Sequence, residues 1–280
     1  MRKSDCYGHR VRANLRHERL LDLLETSGPV DVATLARVLD VSDATIRRDL
    51  SALERTGRLR RLRGGAAPAL EREAPFERVA TQNPMEKRAI AEHAATLVPD
   101  GAVVLLDIGT TTSLVARLLR GRTVTVITSS LAVYDELRDD PVVDLMLLGG
   151  LVRTNYHSMV GFMTEQAIAQ VQADVLFLGT SGVREDGSVF DTTAVEVPVK
   201  KAMLRAADRV VLLADHTKLP GGGYVRVCGP DQYDALVTDR DVDPDAARVF
   251  AEAGVELHVA RALAAAGSSS EDRAIVQEAL

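Results

Sequence analysis

The sequence predicts an α/β chain of two unlike parts: a small helical module with a basic hairpin, then a larger, mainly parallel, Rossmann-like open sheet. Three observations carry this. Residues 31–66 read as two short amphipathic helices, a tight turn and an arginine-loaded hairpin. From residue 102 onward, apolar runs of strand length alternate with helical patterns. Charge divides at the same place: residues 1–65 hold 14 basic and 9 acidic side chains, and the remainder 20 and 31. A cationic module on an anionic body points to nucleic-acid contact at one end. The acidic body repels DNA and so turns the basic end toward it.

The first helix is expected from about Arg12 to Thr26, with Leu20, Leu23 and Leu24 as its apolar stripe and Ser27-Gly28-Pro29 as its stop. Asp31 is placed to cap the second helix, whose buried face reads as Leu35, Val38 and Leu39. Val41 closes the turn, and Ser42 caps the third helix. There Ile46, Leu50 and Leu53 share one face. Ala44, Arg48, Ser51 and Arg55 fall opposite, with Arg47 to one side and Asp43 at the edge. This is the layout of a recognition helix entering the major groove. Arginine reads a guanine edge with two donors, and Thr45 suits a phosphate or a thymine methyl. After Gly57, Arg58, Arg60, Arg61 and Arg63 alternate with Leu59 and Leu62, which are expected to pack back from a short hairpin. Gly64-Gly65 permits a sharp turn or a close approach to phosphate. The module is thus a winged helix-turn-helix, and a double-stranded DNA operator is the expected partner.

Residues 67–82, with Pro68 and Pro75, read as a linker. A helix starts near Pro84 with Ile90, Ala94 and Leu97 on its apolar side. Strands follow at 102–107, 123–128, 142–148, 173–179, 209–214, 235–238 and 256–259. Buried strands separated by helices predict a parallel sheet covered on both faces. Ligands of such sheets bind beyond the C-terminal strand ends. The loops there are polar and glycine-rich: Asp107 to Ser113, Thr128-Ser129-Ser130, Gly149-Gly150, Gly179 to Gly182, and Ala214 to Lys218. Gly109 lets the backbone approach a ligand, and Thr110, Thr111 and Thr112 offer hydroxyls and free amides at a helix N-terminus. Asp107, Asp215, Lys200 and Lys218 add charge. Any one loop is explained as a helix cap; five at corresponding ends describe a pocket for a small anionic polyol such as a phosphorylated sugar. Asn155, Tyr156 and His157 either reach that ligand or lie in a surface loop. Glu196 either faces the pocket or pairs with Lys200. Gly221 to Gly223 either hinge a lid or form a flexible turn.

Two stretches carry a resemblance. TIRRDLSALERTGRLRRLRGGA resembles the signature of the DeoR family of bacterial transcriptional regulators, with Arg63 where the family commonly has histidine. DIGTTT, VITSS, LLGG, MVG, ADVLFLGTSGV, EVPVKKAM and LLADHTK, between about Lys87 and Asp239, are similar to that family's sensor domain. The resemblance implies a fold related to ribose phosphate isomerases and CoA transferases, and release from DNA by a phosphorylated sugar or related metabolite. Carried over residue by residue, it implicates Asp107, Gly109, Thr110, Thr111, Ser129, Gly150, Gly179, Lys200 and Lys218. Ser129 stands where the family often has asparagine. Asp49 of the R-R-D-L core is expected to pair with a nearby arginine.

The expected organisation is DNA binding at 10–66, linker at 67–82, effector sensing at 83–262 and a tail at 263–280. The expected function is a transcriptional regulator, a repressor of a carbohydrate-metabolism operon, working as a homo-oligomer that is at least a dimer because paired recognition helices read two half-sites. Two rivals remain open. One is a sugar-phosphate isomerase using Asp107, Glu196, Asp215 and Lys218 as acid and base groups; the other is an architectural DNA-binding protein with no ligand. Cys6 and Cys228 lack metal-ligand spacing, so no metal, cofactor or disulfide framework is expected, and the default compartment is cytoplasmic. The start MRKSDCYGHR has no apolar core for a signal peptide, and no run is long enough to cross a bilayer.

Overall fold

A computed structural model describes residues 15–21, 23–24, 30–55, 58–62, 64–68 and 74–261. The chain divides into two compact units between residues 72 and 73. Gly57, Arg63, the Ser27-Gly28-Pro29 stop, Cys6 and the 263–280 tail lie outside the described residues.

In the first unit α1 is helical at residues 15–21 and 23–24. It is followed by β1 (Val30–Asp31), α2 (Val32–Val38), α3 (Asp43–Arg55), β2 (Leu59–Leu62) and β3 (Gly65–Pro68). Leu20, Leu24, Leu35, Ile46, Leu50, Leu53 and Leu59 close one core. The Asp31 carboxylate accepts from the Thr34 amide at 2.9 Å and so caps α2 as expected. The buried face of α2 is Val32, Leu35 and Ala36, whereas Val38 is 55% exposed, which corrects the expected set. Leu59 is buried but Leu62 only half-buried, because residues three apart on a strand point to opposite faces.

The expected linker also needs correction. Gly65–Pro68 is the central strand of a three-stranded antiparallel sheet in the order β1-β3-β2. Ala67 and Pro68 therefore belong to the wing rather than to the connection. Asp31 pairs with Gly65, and a Cβ added to Gly65 would collide with the Val30 carbonyl oxygen. The second glycine is thus there for strand approach.

The second unit begins with α4 (Phe76–Ala80), also inside the expected linker, and α5 (Pro84–Thr96). Then come β4 (Val103–Leu106), α6 (Thr110–Leu119), β5 (Thr125–Thr128), α7 (Leu131–Leu137) and β6 (Asp144–Leu147). A hairpin, β7 (Leu151–Arg153) and β8 (Ser158–Val160), precedes α8 (Phe162–Ile168) and β9 (Ala173–Gly179). The rest is β10 (Gly182–Val183), β11 (Val189–Asp191), α9 (Val197–Arg205), β12 (Ala207–Leu213), β13 (Val225–Cys228), β14 (Ala235–Thr238), α10 (Pro244–Glu252) and β15 (Glu256–Val259). Among the described residues no helix is long and apolar enough to cross a membrane.

Seven strands form one sheet in the order β15-β14-β12-β9-β4-β5-β6, every pair parallel. All seven runs read from the sequence are found in it. Their near-continuous hydrophobicity has a simple cause, since alternate residues feed two different cores. Leu105, Leu176 and Leu212 pack on one face with Met203 and Phe250, while Val104, Phe177 and Val211 pack on the other with Ile90 and Val115. Strand order reverses between β4 and β9, which is where a parallel sheet opens a crevice.

Substituting Gly65→Ala is expected to destabilise the N-terminal unit by about 1–3 kcal/mol, the usual cost of forcing an atom into packed backbone. Differential scanning calorimetry of the full chain should show the transition of that unit lowered, and that of the larger unit unmoved.

Candidate functional site

The first unit presents a basic helix face. Burial of Ile46, Leu50 and Leu53 turns Asp43, Ala44, Arg47 and Arg48 into solvent, with Thr45 half-buried. Ser42 Oγ accepts from the Thr45 amide at 3.3 Å and pairs with the Thr45 hydroxyl at 3.0 Å, holding the first turn. Ser51 is not spare: it donates to the Arg47 carbonyl at 2.9 Å and accepts from Arg61 at 2.9 Å. That bond ties the wing to α3. Asp49 is structural, as expected, but its partners are Arg16 at 2.6 Å and His17 at 3.0 Å of α1. Burial pushes its carboxyl up, yet these hydrogen bonds and charges outweigh burial and hold it below the usual range. Arg58 is exposed and Arg60 lies in β2.

The second unit has a pocket at the strand-order reversal, lined among others by Gly109 to Thr112, Tyr156, Gly179 to Ser181, Asp191, Glu196, Lys200 and Lys218. Gly109 precedes α6 with a φ of 142°, a conformation that favours glycine. The first intrahelical bond there is from Ser113 to the Gly109 carbonyl. The amides of Thr110, Thr111 and Thr112 therefore lie ahead of the helical ladder, at the positive end of its dipole. Lys200, on α9, reaches under the crevice. Its ammonium pairs with Asp107, donates to the Gly179 carbonyl at 3.0 Å and stands 3.5 Å from Asp191. Burial alone would lower Lys200, but Asp107 and Asp191 more than offset it and hold it above the ordinary lysine value. The Asp107 carboxylate also accepts from the Gly179 amide at 2.9 Å.

Lys218 differs. It donates to the Thr180 carbonyl at 2.5 Å and makes no ion pair among the described residues. Desolvation lowers its pKa against the pull of Asp215. On the opposite side Glu196, 2% exposed, pairs with Arg153 and accepts from Ser158 Oγ at 3.0 Å. Asp191 accepts from Ser181 Oγ and from the Thr193 amide, both at 3.1 Å.

The sequence-derived set divides in three. Gly109, Thr110, Thr111, Thr112, Gly179, Lys200 and Lys218 come together at the pocket, and Asp107 lies directly behind Lys200. Ser129, Gly150 and Asp215 do not line it. Asp215 caps a short 3₁₀ turn, His216–Lys218, and accepts from Asn83 at 3.2 Å. A Cβ on Gly150 would collide with Thr164, so that glycine is needed for packing. Ser129 is buried and its carbonyl takes the Met159 amide at 2.8 Å. The third group is what the residues left open or missed. Tyr156 and Glu196 line the pocket, as do Thr180, Ser181 and Asp191. His157 instead stacks on Phe76 and pairs with Glu77 at 3.1 Å. Gly221 donates to the Val183 carbonyl at 3.0 Å, and its Cβ would stand 2.6 Å from Gly182 Cα, so the glycine run is packed rather than a hinge.

Comparison with known proteins agrees with both units. A family model described as a DeoR-like helix-turn-helix domain matches residues 16–70, and one described as the DeoR C terminal sensor domain matches 82–240. The chain is 33% identical to the HTH-type transcriptional regulator GolR of Listeria innocua, over 88% of this chain and 98% of that one. It is 35% identical to the HTH-type transcriptional repressor CsqR of Escherichia coli (82% and 88% covered). With the glycerol-3-phosphate regulon repressor of Haemophilus influenzae it shares 34% (78% and 86%). A ribose 5-phosphate isomerase structure from Methanocaldococcus jannaschii aligns with 49% of this chain and 55% of its own, at 21% identity and a TM-score of 0.37. That likeness is too remote to carry catalysis over.

Lys87, on α5, gives a test of the charge around the pocket. It is 2% exposed, and burial, then repulsion from Lys218, lower its pKa from 10.5 to about 8. The unfolded chain protonates this amine below 10.5 and the folded one only below about 8. The folded state is therefore penalised at neutral pH, and the penalty fades as pH rises through that window. Urea unfolding across it should show wild type gaining stability relative to Lys87→Met; a constant difference would mean that Lys87 is not neutralised in the fold.

Proposed function

The chain belongs to the DeoR family of transcriptional regulators, and on that premise we propose that it represses a carbohydrate- or polyol-phosphate operon until a phosphorylated metabolite fills the pocket of its second unit. The observation that carries the ligand class is Lys218. A lysine that lines a crevice, makes no ion pair among the described residues and shares its lining with the first-turn amides of α6 is a site for an anion. The carboxylates in the same pocket suit hydroxyl groups. Three relatives are named for the glycerol-3-phosphate regulon, which is the same ligand chemistry. DNA contact is assigned to Ser42 through Arg48 on α3 and to the arginines of the wing, with the DNA-binding part extended through Pro68. At least a dimer is proposed, because a helix-turn-helix of this kind reads paired half-sites, and a cytoplasmic location follows from that work. Against an isomerase role, Asp215 is spent on a cap and Asp107 on Lys200.

A ligand releases DNA only if it binds the DNA-incompetent arrangement better. Fluorescence anisotropy on the DNA upstream of the gene, against scrambled DNA, tests the whole reading. Specific binding lost on adding one phosphorylated sugar or polyol is expected; turnover of that compound without any effect on DNA would replace the regulator with an enzyme. Arg48→Ala should cost about 1–3 kcal/mol of discrimination between operator and scrambled DNA. Arg58→Ala should weaken both equally and reduce the salt slope by about 1. Lys218→Met should keep operator binding and lose the response to the ligand.

A further inference from the structure

A second concavity lies on the outer side of α9. Val197, Val199, Lys200, Ala202 and Met203 of that helix are buried. Lys201 and Arg205, four residues apart, therefore fall together on the exposed face. β13 brings Arg226 up beside them. These three cations, with Leu204, Val227, Cys228 and Gln232, line an open groove of about 530 Å³, the size of a small-molecule site.

The cations are unspent. Between residues 79 and 261 every other lysine and arginine side chain has a hydrogen-bond or ion-pair partner, as Arg117 has Glu136 and Arg209 has Glu256. Lys201, Arg205 and Arg226 have none among the described residues. Asp186, held low chiefly by the Ser188 amide, feels Arg226 only as a charge through space. Two like charges one turn apart weaken a helix. Carboxylates to offset them are plentiful, since residues 66–280 hold 31 acidic against 20 basic side chains. Yet among the described residues no carboxylate lines the groove.

Beneath the cations the floor is apolar, with Leu204 half-buried and Val227 and Cys228 buried. Burial pushes the Cys228 thiol up to about 12, so the floor stays neutral. Gln232 Oε1 accepts from the Gly229 amide at 3.2 Å, which leaves the NH2 donors of Gln232 for a ligand. An inorganic anion would leave such a floor uncovered. A duplex backbone is met by a track of cations rather than by a hollow with an apolar base.

We propose that this groove is a second ligand site, taking a small molecule with two or more phosphate charges and a flat apolar body, the chemistry of a nucleoside di- or triphosphate. The phosphates lie along Lys201, Arg205 and Arg226, and the base lies on Leu204 and Val227 with Gln232 at its edge. The site does not rest on the anion site of the first pocket. The two use neighbouring residues of α9, Lys200 lining the first and Lys201 the second.

The test is isothermal titration of the full chain, without DNA, with ATP, ADP, AMP, adenosine and inorganic tripolyphosphate. Wild type should bind ATP and ADP more tightly than AMP or adenosine, and ATP more tightly than tripolyphosphate. Arg205→Gln and Arg226→Gln, both at exposed positions, should each lose about tenfold or more in ATP affinity, the scale of one hydrogen bond to a charged group. Lys218→Met and Arg48→Ala should bind ATP as wild type does. ATP binding lost in Lys218→Met but kept in Arg226→Gln overturns the proposal and puts the nucleotide in the first pocket. Loss in Arg48→Ala alone overturns it in favour of the DNA-binding unit. Tripolyphosphate bound as tightly as ATP overturns the nucleoside class, and no binding of any of the five at millimolar concentration overturns the site. Scrambled DNA bound more weakly by Arg205→Gln/Arg226→Gln, with ATP ignored, would assign the groove to the DNA backbone instead.

Discussion

The pocket depends on one buried ion pair, Lys200 with Asp107. Asp107 follows β4 and Lys200 sits on α9, and both also bond to the backbone of Gly179 at the end of β9. These elements meet where the strand order reverses, so the pair lies at the base of the crevice, just beyond the ladder that joins β4 to β9. Burying two charges is costly, and a well-packed apolar substitute is often no less stable. What the pair supplies is placement. It fixes the end of β9 against that of β4, and hence Thr180 and Ser181 opposite the threonines of α6. It also neutralises Lys200, so the remaining unpaired cation in the lining is Lys218.

How much of this the sequence revealed depends on how local each signal is. The parallel sheet was legible because its strands are buried on both faces and read as unbroken apolar runs between helices. The β7–β8 hairpin and the β10-β11-β13 sheet were not, since strands of two to four residues carry too little period to register. That omission hid part of the pocket. Asp191 ends one of those short strands, and Tyr156 sits in the turn of the hairpin. Residues chosen because they follow a strand were half right. Gly109 and Lys218 face the crevice, whereas Gly150 and Asp215, at similar positions, are spent on packing and capping. A loop sequence shows that a polar residue is at the rim, not which way it turns.

The helix-turn-helix was more legible because it is more local. Three apolar positions on α3 orient the whole helix, and the exposed arginines follow from them. Even so, the motif mixes two kinds of polar residue. Arg47 and Arg48 are solvent-facing, while Asp49 and Ser51 tie α3 to α1 and to the wing. An R-R-D-L signature is therefore partly a record of how the recognition helix is held, and substitutions at Asp49 act on the fold before they act on DNA.

The elements around the pocket do not resist displacement alike. The side formed by Gly182 and Gly221 resists, because backbone is packed on backbone there. The β12 side is tied by Asn83 to Asp215 and Thr217. Tyr156, in the turn of the β7–β8 hairpin, packs edge to face on Phe76 of α4, with ring centroids 5.7 Å apart. That same turn carries Phe76 of α4, through the Phe76 amide to Asn155 at 3.0 Å and the stack on His157. Residue 76 is four positions from the division between the two units. The lining of the pocket is thus tied, through the turn of the β7–β8 hairpin, to α4 at the start of the second unit.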